Sequence, residues 1–197
     1  MNRKIAFTLI IMIVAMAFGV SVWGNGPGNN NNGMCDDCEA VLESVEPGNL
    51  NDAEISGLLL MREEEKLARD VYLYLADYWN HRVFSNIARS EQAHMDQVAL
   101  LLEAYELDDP MVTDPEFGVF NNTVLAGLYS DLIAQGEISL EEAMAVGVAI
   151  EVLDIDDLEG LIANTDEEAI LMVYDNLLKG SYNHLSAFQR QLDRFGS

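Results

Sequence analysis

Two of the chain's three histidines fall inside apolar helical stripes, and acids fall there with them. No other feature restricts the fold as much. Across "SEQAHMDQVALLLEAY" (Ser90–Tyr105) and the turn before it, Ile87, Glu91, His94, Val98, Leu101/Leu102 and Tyr105 recur at steps of three and four. On a helix such positions share one face. The opposite face carries Gln92, Asp96, Gln97 and Glu103, so the pattern turns Glu91 and His94 inward. Further along, Leu177, Ser181, His184, Phe188, Leu192 and Phe195 make a second stripe with His184 at its centre. One histidine in a core stripe is ordinarily a satisfied structural residue. Two on separate helices, one of them a turn after a glutamate, ask for a shared partner.

The rest of the chain supplies helices to build around them. It has 197 residues, half of them hydrophobic and only 4 of them proline. That is enough for one sizeable core. Long stretches are rich in Leu, Ala, Glu, Met and Gln, which favour helix, and no run alternates as a strand would. Helix-start signatures, a capping residue three before a Glu, stand at Asn51–Glu54, Ser139–Glu142 and Thr165–Glu168. They predict long helices from Asn51 to about Trp79, from Ser139 to about Ala163 and from Thr165 to about Phe195, and the short break at "NHRV" sets off another from about Phe84 to Tyr105. The connection from Met111 to Gly136 holds "NNTVLAGLYSDLIAQG", read as a short helix closed by Gly136. Short links make antiparallel neighbours. The expectation is an all-α antiparallel four-helix bundle with one long crossover containing a short helix.

The other two helices also carry acids in their seams. In "MREEEKLARDVYLYL", Leu58, Met61, Glu65, Ala68, Tyr72, Leu75 and Trp79 form one stripe; Leu60, Glu64, Leu67 and Val71 form its neighbour. At least one of Glu63, Glu64 and Glu65 faces inward, and the others are expected to solvate the surface beside Lys66 or Arg69. In the third long helix Met144, Gly147/Val148, Glu151, Asp154/Ile155, Leu158 and Ile162 line up, with Asp156, Asp157 and Glu159 read as solvated. A bare buried charge costs several kcal/mol. Lys66, Arg69, Arg82 and Arg89 do not fall in the acid stripes. A cation is the better explanation, and oxygen with imidazole donors suits iron, manganese or zinc. Four carboxylates (Glu65, Glu91, Glu151, Asp154) would balance two divalent ions.

Charge and termini bound the setting. With 10 Lys+Arg against 34 Asp+Glu the net charge is −24. Such a surface repels nucleic acid and anionic lipid and favours cations; its plain reading is a solvated exterior. Asn2-Arg3-Lys4 followed by the apolar run Ile5–Trp23 reads as a signal peptide, or, given its length, as an uncleaved anchor. Either way the folded part, residues 51–197, is expected outside the cytoplasm, in the periplasm, at the cell surface or secreted. Membrane contact would come only through that N-terminal segment, and a homodimer is compatible with the pattern. Residues 24–50 form a Gly/Asn-rich linker ending in "CDDC", whose Cys35 and Cys38 are first read as a local disulfide and otherwise as a redox pair or half a zinc site.

A glutamate on one helix and Glu-x-x-His on the next, then the same on the second pair, is the pattern of ferritin-like di-iron carboxylate proteins. From about Asn51 to Phe195 the chain resembles that superfamily. It looks closest to a prokaryotic ferritin-like family of uncharacterised function, through "MREEEKLARDVY", "SEQAHMD" and "GSYNHLSAF". The resemblance implies that Glu65, seven before Tyr72 with Ala68 between, is the first-helix ligand, with Glu64 as second choice. It implies Glu91 as the bridging carboxylate, His94 as ligand of one metal, and Glu151 and His184 as ligands of the other. Two irons would then react with O2 or peroxide, with Tyr72 giving an electron or a hydrogen bond. Ser181 departs from the pattern, standing where the superfamily has glutamate. Asp154 or water would fill that place, or the site would be mononuclear. A non-catalytic metal-binding or protein-interaction bundle, and a bundle whose polar seam holds no metal, are the competing readings.

Overall fold

The computed structural model describes residue 45 and residues 50–111 and 117–196. The apolar run of residues 5–23, Cys35 and Cys38 lie outside these. The described residues form five helices and no strand: α1 (Asp52–Trp79), α2 (Arg82–Ala104), α3 (Thr123–Gly136), α4 (Leu140–Ile162) and α5 (Glu168–Leu192). None is long and apolar enough to cross a membrane.

α1 folds back into α2 through Asn80 and His81. Asn80 adopts the left-handed conformation (φ 49°) that ends a helix, and His81 caps the next. α4 and α5 form the second hairpin. The hairpins close on each other through α1 against α4 and α2 against α5, while α3, within the crossover, packs on α1 and α4. This is the predicted four-helix bundle with one crossover.

Two of the three start signatures differ in detail from expectation. Asn51 and Glu54 make the full reciprocal box. Ser139 accepts from the Glu142 amide, but the Glu142 carboxylate turns to the Gln135 side chain. Thr165 does not cap α5, which starts at Glu168 with no side-chain cap. Its hydroxyl donates to Glu54 Oε1 at 2.7 Å, so the residue that closes the α1 box also ties down the start of α5. Phe195, expected in the core stripe, lies beyond the end of α5 and is exposed.

The apolar core falls into two clusters. One gathers Tyr72, Leu75, Phe84, Ile87, Met144 and Phe188. The other gathers Leu58, Met61, Val98, Leu101, Leu158 and Leu177. Each long helix puts buried polar residues between the two: Glu65 on α1, Glu91 and His94 on α2, Glu151 on α4, Ser181 and His184 on α5. A polar layer therefore crosses the bundle at mid-height.

A second polar cluster holds the crossover. Lys66, fully buried, pairs with buried Asp70 one turn on and stands 4.5 Å over the Phe120 ring. Asp70 also accepts from Arg69 and from the Gly118 amide. Glu63 accepts from the Asn122 amide at 2.9 Å, and Arg62 bonds Asp109 and the Met95 carbonyl. Gly118 needs its lack of a side chain: its φ is +74°, and a Cβ would meet the Tyr129 ring at 2.8 Å. Glu63 and Lys66 are thus not the solvated face that the sequence suggests. The crossover covers them, a packing that periodicity within α1 cannot reveal.

Candidate metal centre

The mid-height layer brings Glu65, Glu91, His94, Glu151 and His184 to one small volume. Helical register does most of the positioning. Glu91 and His94 are a turn apart on α2, and Glu65 and Tyr72 two turns apart on α1, so each pair shares a face. His94 Nδ1 lies 2.8 Å from Glu91 Oε2 and 3.3 Å from Glu65 Oε2. His184 Nδ1 lies 2.9 Å from Glu91 Oε1 and 3.5 Å from Glu151 Oε2. Glu91 thus gives one oxygen to each histidine, and the pattern is nearly symmetric about it. Two donor sets result, Glu65–Glu91–His94 and Glu91–Glu151–His184, sharing Glu91 and made of buried residues. The two imidazoles stack with centroids 5.6 Å apart.

Several of these atoms lack the partners that burial demands. Glu65 Oε1, Glu91 Oε1 and His184 Nδ1 are buried without a hydrogen bond. Glu91 Oε1 and His184 Nδ1 face each other at 2.9 Å, yet not in hydrogen-bonding alignment. Ligands of one first-row ion, each about 2.1 Å from it and at right angles, are about 3 Å apart. The spacing and the oxygen–imidazole donor set suit a divalent ion in each half.

Electrostatics point the same way. Burial pushes the Glu65 carboxyl up to about 7 against the pull of His94, and pushes Glu151 up to about 6. Burial, with Glu65 and Glu151 adding, raises Asp154 well above the usual carboxylate range. For Glu91 burial is outweighed by the two histidines, which hold it well below its ordinary value. His94 rises to about 10 because Glu65 and Glu91 overcome its burial, and His184 rises well above its usual value likewise. Without a cation, protons hold this cluster of acids together.

Neighbouring residues fix the donors. Tyr72, fully buried among Phe84 and Phe188, donates to Glu151 Oε1 at 2.6 Å. Burial and Glu151 raise its hydroxyl well above 10, so it stays a donor. Ser181 sets its one hydroxyl proton between Asp154 Oδ2 and the Leu177 carbonyl. Asp154 lies outside the two tight donor sets but lines the same cavity as Glu65, Glu91 and Glu151. Gly180 was not legible as a site residue. A Cβ there would come within 2.5 Å of His94 Cε1, so the α5 backbone forms a seat for that ring.

The solvated reading of three further residues is corrected. Gln97, assigned to the polar face of α2, is fully buried and meets Asn176 across the bundle. Glu64 is largely buried and lines the cavity, and Asp157 is half-buried beside it. Burial, Asp157 and Glu65 together push the Glu64 carboxyl up to about 8.

The scaffold that carries this centre is shared with other proteins. A family described as "Uncharacterized protein domain (DUF2202)" matches residues 54–197, spanning every helix that lines the centre. The chain belongs to this family. It is 49% identical over 156 residues to "Uncharacterized protein MJ0754" of Methanocaldococcus jannaschii, covering 79% of this chain and 84% of the relative. The crystal structure of hypothetical protein MJ0754 from Methanococcus jannaschii DSM 2661 matches the DUF2202 fold described here with a TM-score of 0.74 at 50% identity. That match covers 78% of this chain and 87% of the other.

Proposed function

We propose that this DUF2202 protein is a ferritin-like di-metal carboxylate protein, with iron as its metal and oxidation by O2 or peroxide as its chemistry. The observation that carries the reading is Glu91. It is a buried carboxylate offering one oxygen to each of two histidines, with orphaned donors on both sides. Glu65 and His94 would hold one ion, Glu151 and His184 the other, and Glu91 both. Asp154, steadied by Ser181, would supply the fourth carboxylate and complete charge balance against two divalent ions. A bound pair of irons would supply electrons to O2 or peroxide.

The chain's own residues shape that chemistry. The apolar clusters above and below keep bulk water from the layer. Tyr72 keeps its proton, donates a hydrogen bond to Glu151 Oε1 and so orients that carboxylate. The acidic exterior, net −24, raises the local concentration of Fe2+. The N-terminal apolar run supports a site of action outside the cytoplasm, where an exported or anchored protein would meet its metal.

The test is metal content of the full chain after anaerobic Fe2+ loading, beside His94→Ala and His184→Ala. Close to two irons per chain, lowered in both variants and oxidised on adding O2 or peroxide, is expected. Absence of bound metal in the parent chain would sink the reading. Ser181 favours a second one, a non-catalytic metal-binding or interaction module with a reduced site. Tightly held metal that stays ferrous in O2 and peroxide would decide for it.

A further inference from the structure

The exterior of this chain is acidic, yet its few cations are not scattered over it. Among the described residues the exposed ones are Arg82, Arg89, Lys179, Arg190 and Arg194, all on α2, on α5 or just past its end. The exposed charges of α1 and α4 are acids, as at Asp77, Glu141, Asp156 and Glu159. α2 and α5 are neighbours that run in opposite directions, tied at one height by a 2.9 Å bond from the Asn176 side chain to that of Gln97.

On the outer side of α2, Arg82, Arg89, Asp96 and Glu103 follow one another at seven-residue intervals, with Ala93 and exposed Leu100 between them. Heptad spacing keeps such positions on one line that can lie along another helix. The line is polarised, cations first and acids after. Ala93 divides it almost evenly: Arg89 stands four residues before it and Asp96 three after, Arg82 eleven before and Glu103 ten after. α5 repeats the division at matching height, its exposed Glu168 and Asp175 beside the acid end of α2 and its Lys179 and Arg190 beside the basic end. Asp193 and Arg194, past the end of α5, offset each other in charge. None of the eight charges on these two lines enters an ion pair among the described residues, whereas Arg62, Lys66 and Arg69 are each paired within the chain.

A charge pattern that reverses at its midpoint is complementary to itself turned end over end. A twofold axis beside Ala93 sets Arg82 against the partner's Glu103 and Arg89 against the partner's Asp96, and the small side chain at the axis lets the two helices approach. The faces of α1 and α4 would instead bring acid against acid. We propose that the α2–α5 face is a self-docking surface, on which two copies of this chain pair antiparallel about a twofold axis at Ala93.

Its test is sedimentation of the full chain at physiological salt, where a Debye length of about 8 Å screens distant acids and spares touching pairs. The parent chain is expected to dimerise. Arg82→Glu/Arg89→Glu should weaken the dimer about tenfold or more. Adding Asp96→Arg and Glu103→Arg to that variant reverses the polarity of the line, restores its self-complementarity and should bring the dimer back. The axis has its own readout. Ala93→Cys, in a chain that also carries Cys35→Ser and Cys38→Ser, should give a disulfide-linked dimer on mild oxidation. Glu159→Cys in the same background, exposed on α4, should not. A parent chain that sediments as a monomer at every concentration would overturn the proposal. So would a dimer that survives the double reversal, as one held by the N-terminal apolar run would. A fourfold variant with native circular dichroism that stays monomeric, or cross-linking at position 159 as readily as at 93, would overturn it as well.

Discussion

α1 carries two buried polar clusters on adjoining faces, and they are built on opposite rules. Under the crossover, Lys66 and Arg69 neutralise Asp70, and amides of the crossover complete the hydrogen bonds. In the bundle centre, Glu65, Glu91, Glu151 and Asp154 gather about two histidines with atoms left over on both elements. The first cluster contains its own cations. The second is short of positive charge unless it borrows protons or a metal. A self-sufficient cluster reads as structure and an incomplete one reads as a site.

The sharpest way to break this contrast is to damage each cluster and ask what repairs it. Asp70→Ala removes the buried carboxylate that both Lys66 and Arg69 bond and should cost about 3–5 kcal/mol, read as a fall in the urea midpoint. Replacing Lys66 and Asp70 together by Met and Leu should recover much of that loss, and metal should recover none of it. In the centre the roles reverse. Saturating Fe2+ or Co2+ under anaerobic conditions, at a hundred times its dissociation constant, should stabilise the parent chain by about 2.7 kcal/mol, seen as a rise in melting temperature. Glu91→Gln should abolish that rise. If Asp70→Ala also abolished it, the two clusters would not be independent.

Smaller perturbations sharpen the same line. Gly180→Ala forces the His94 ring from its seat, because the new Cβ would lie 2.5 Å from Cε1. Metal affinity should fall about 10- to 100-fold, as for other residues that orient a ligand, while the variant still folds with native circular dichroism. The metal-free protein should also lose stability as pH rises. Glu65 and Glu151 are raised to about 7 and about 6, so the native state keeps protons that the unfolded chain releases above its ordinary carboxylate range. His94, raised to about 10, extends the same loss above the ordinary histidine range. Each group contributes up to about 1.4 kcal/mol per pH unit inside its window. Glu91, held low, acts only at the acid end, where protonating it removes stability. Bound metal displaces the protons, so the loaded protein should not weaken between pH 6 and 8. Parallel melting curves for loaded and metal-free protein across that range would contradict the account.

How much of this the sequence discloses depends on whether the cause is local. Glu91, His94, Glu151 and His184 are legible because a helix repeats its faces, and an acid inside an apolar stripe has nowhere to go but in. The four long helices and the crossover are legible for the same reason. Glu64 and Glu65 sit in adjoining stripes, so periodicity could not choose between them. The structure buries Glu65 in the centre and leaves Glu64 partly exposed at the cavity's edge. Lys66 and Glu63 were misread because what covers them arrives from residues 117–122, far along the chain. Thr165 has the signature of a cap but spends its hydroxyl on Glu54 across the bundle. Gly180 could be found only from the approach of another helix's ring.

The smallest expected effect concerns Ser181, which lies one turn before His184 on α5. Its hydroxyl bonds both Asp154 and the Leu177 carbonyl, so it spans α5 and α4 at the level of the site. Ser181→Ala removes those bonds and should cost about 1 kcal/mol in the metal-free protein. Asp154→Asn should cost a similar amount, and the double variant should cost less than the sum, because the two share one bond. Under loading the variants should part. Ser181→Ala keeps its stoichiometry, since the serine positions a carboxylate without being needed as a donor. Asp154→Asn binds the second ion more weakly, since it removes charge from the centre. If both variants load identically to the parent, Asp154 is no ligand, and the centre runs on Glu65, Glu91 and Glu151 alone. If Ser181→Ala itself drops to one ion, the serine oxygen is a ligand.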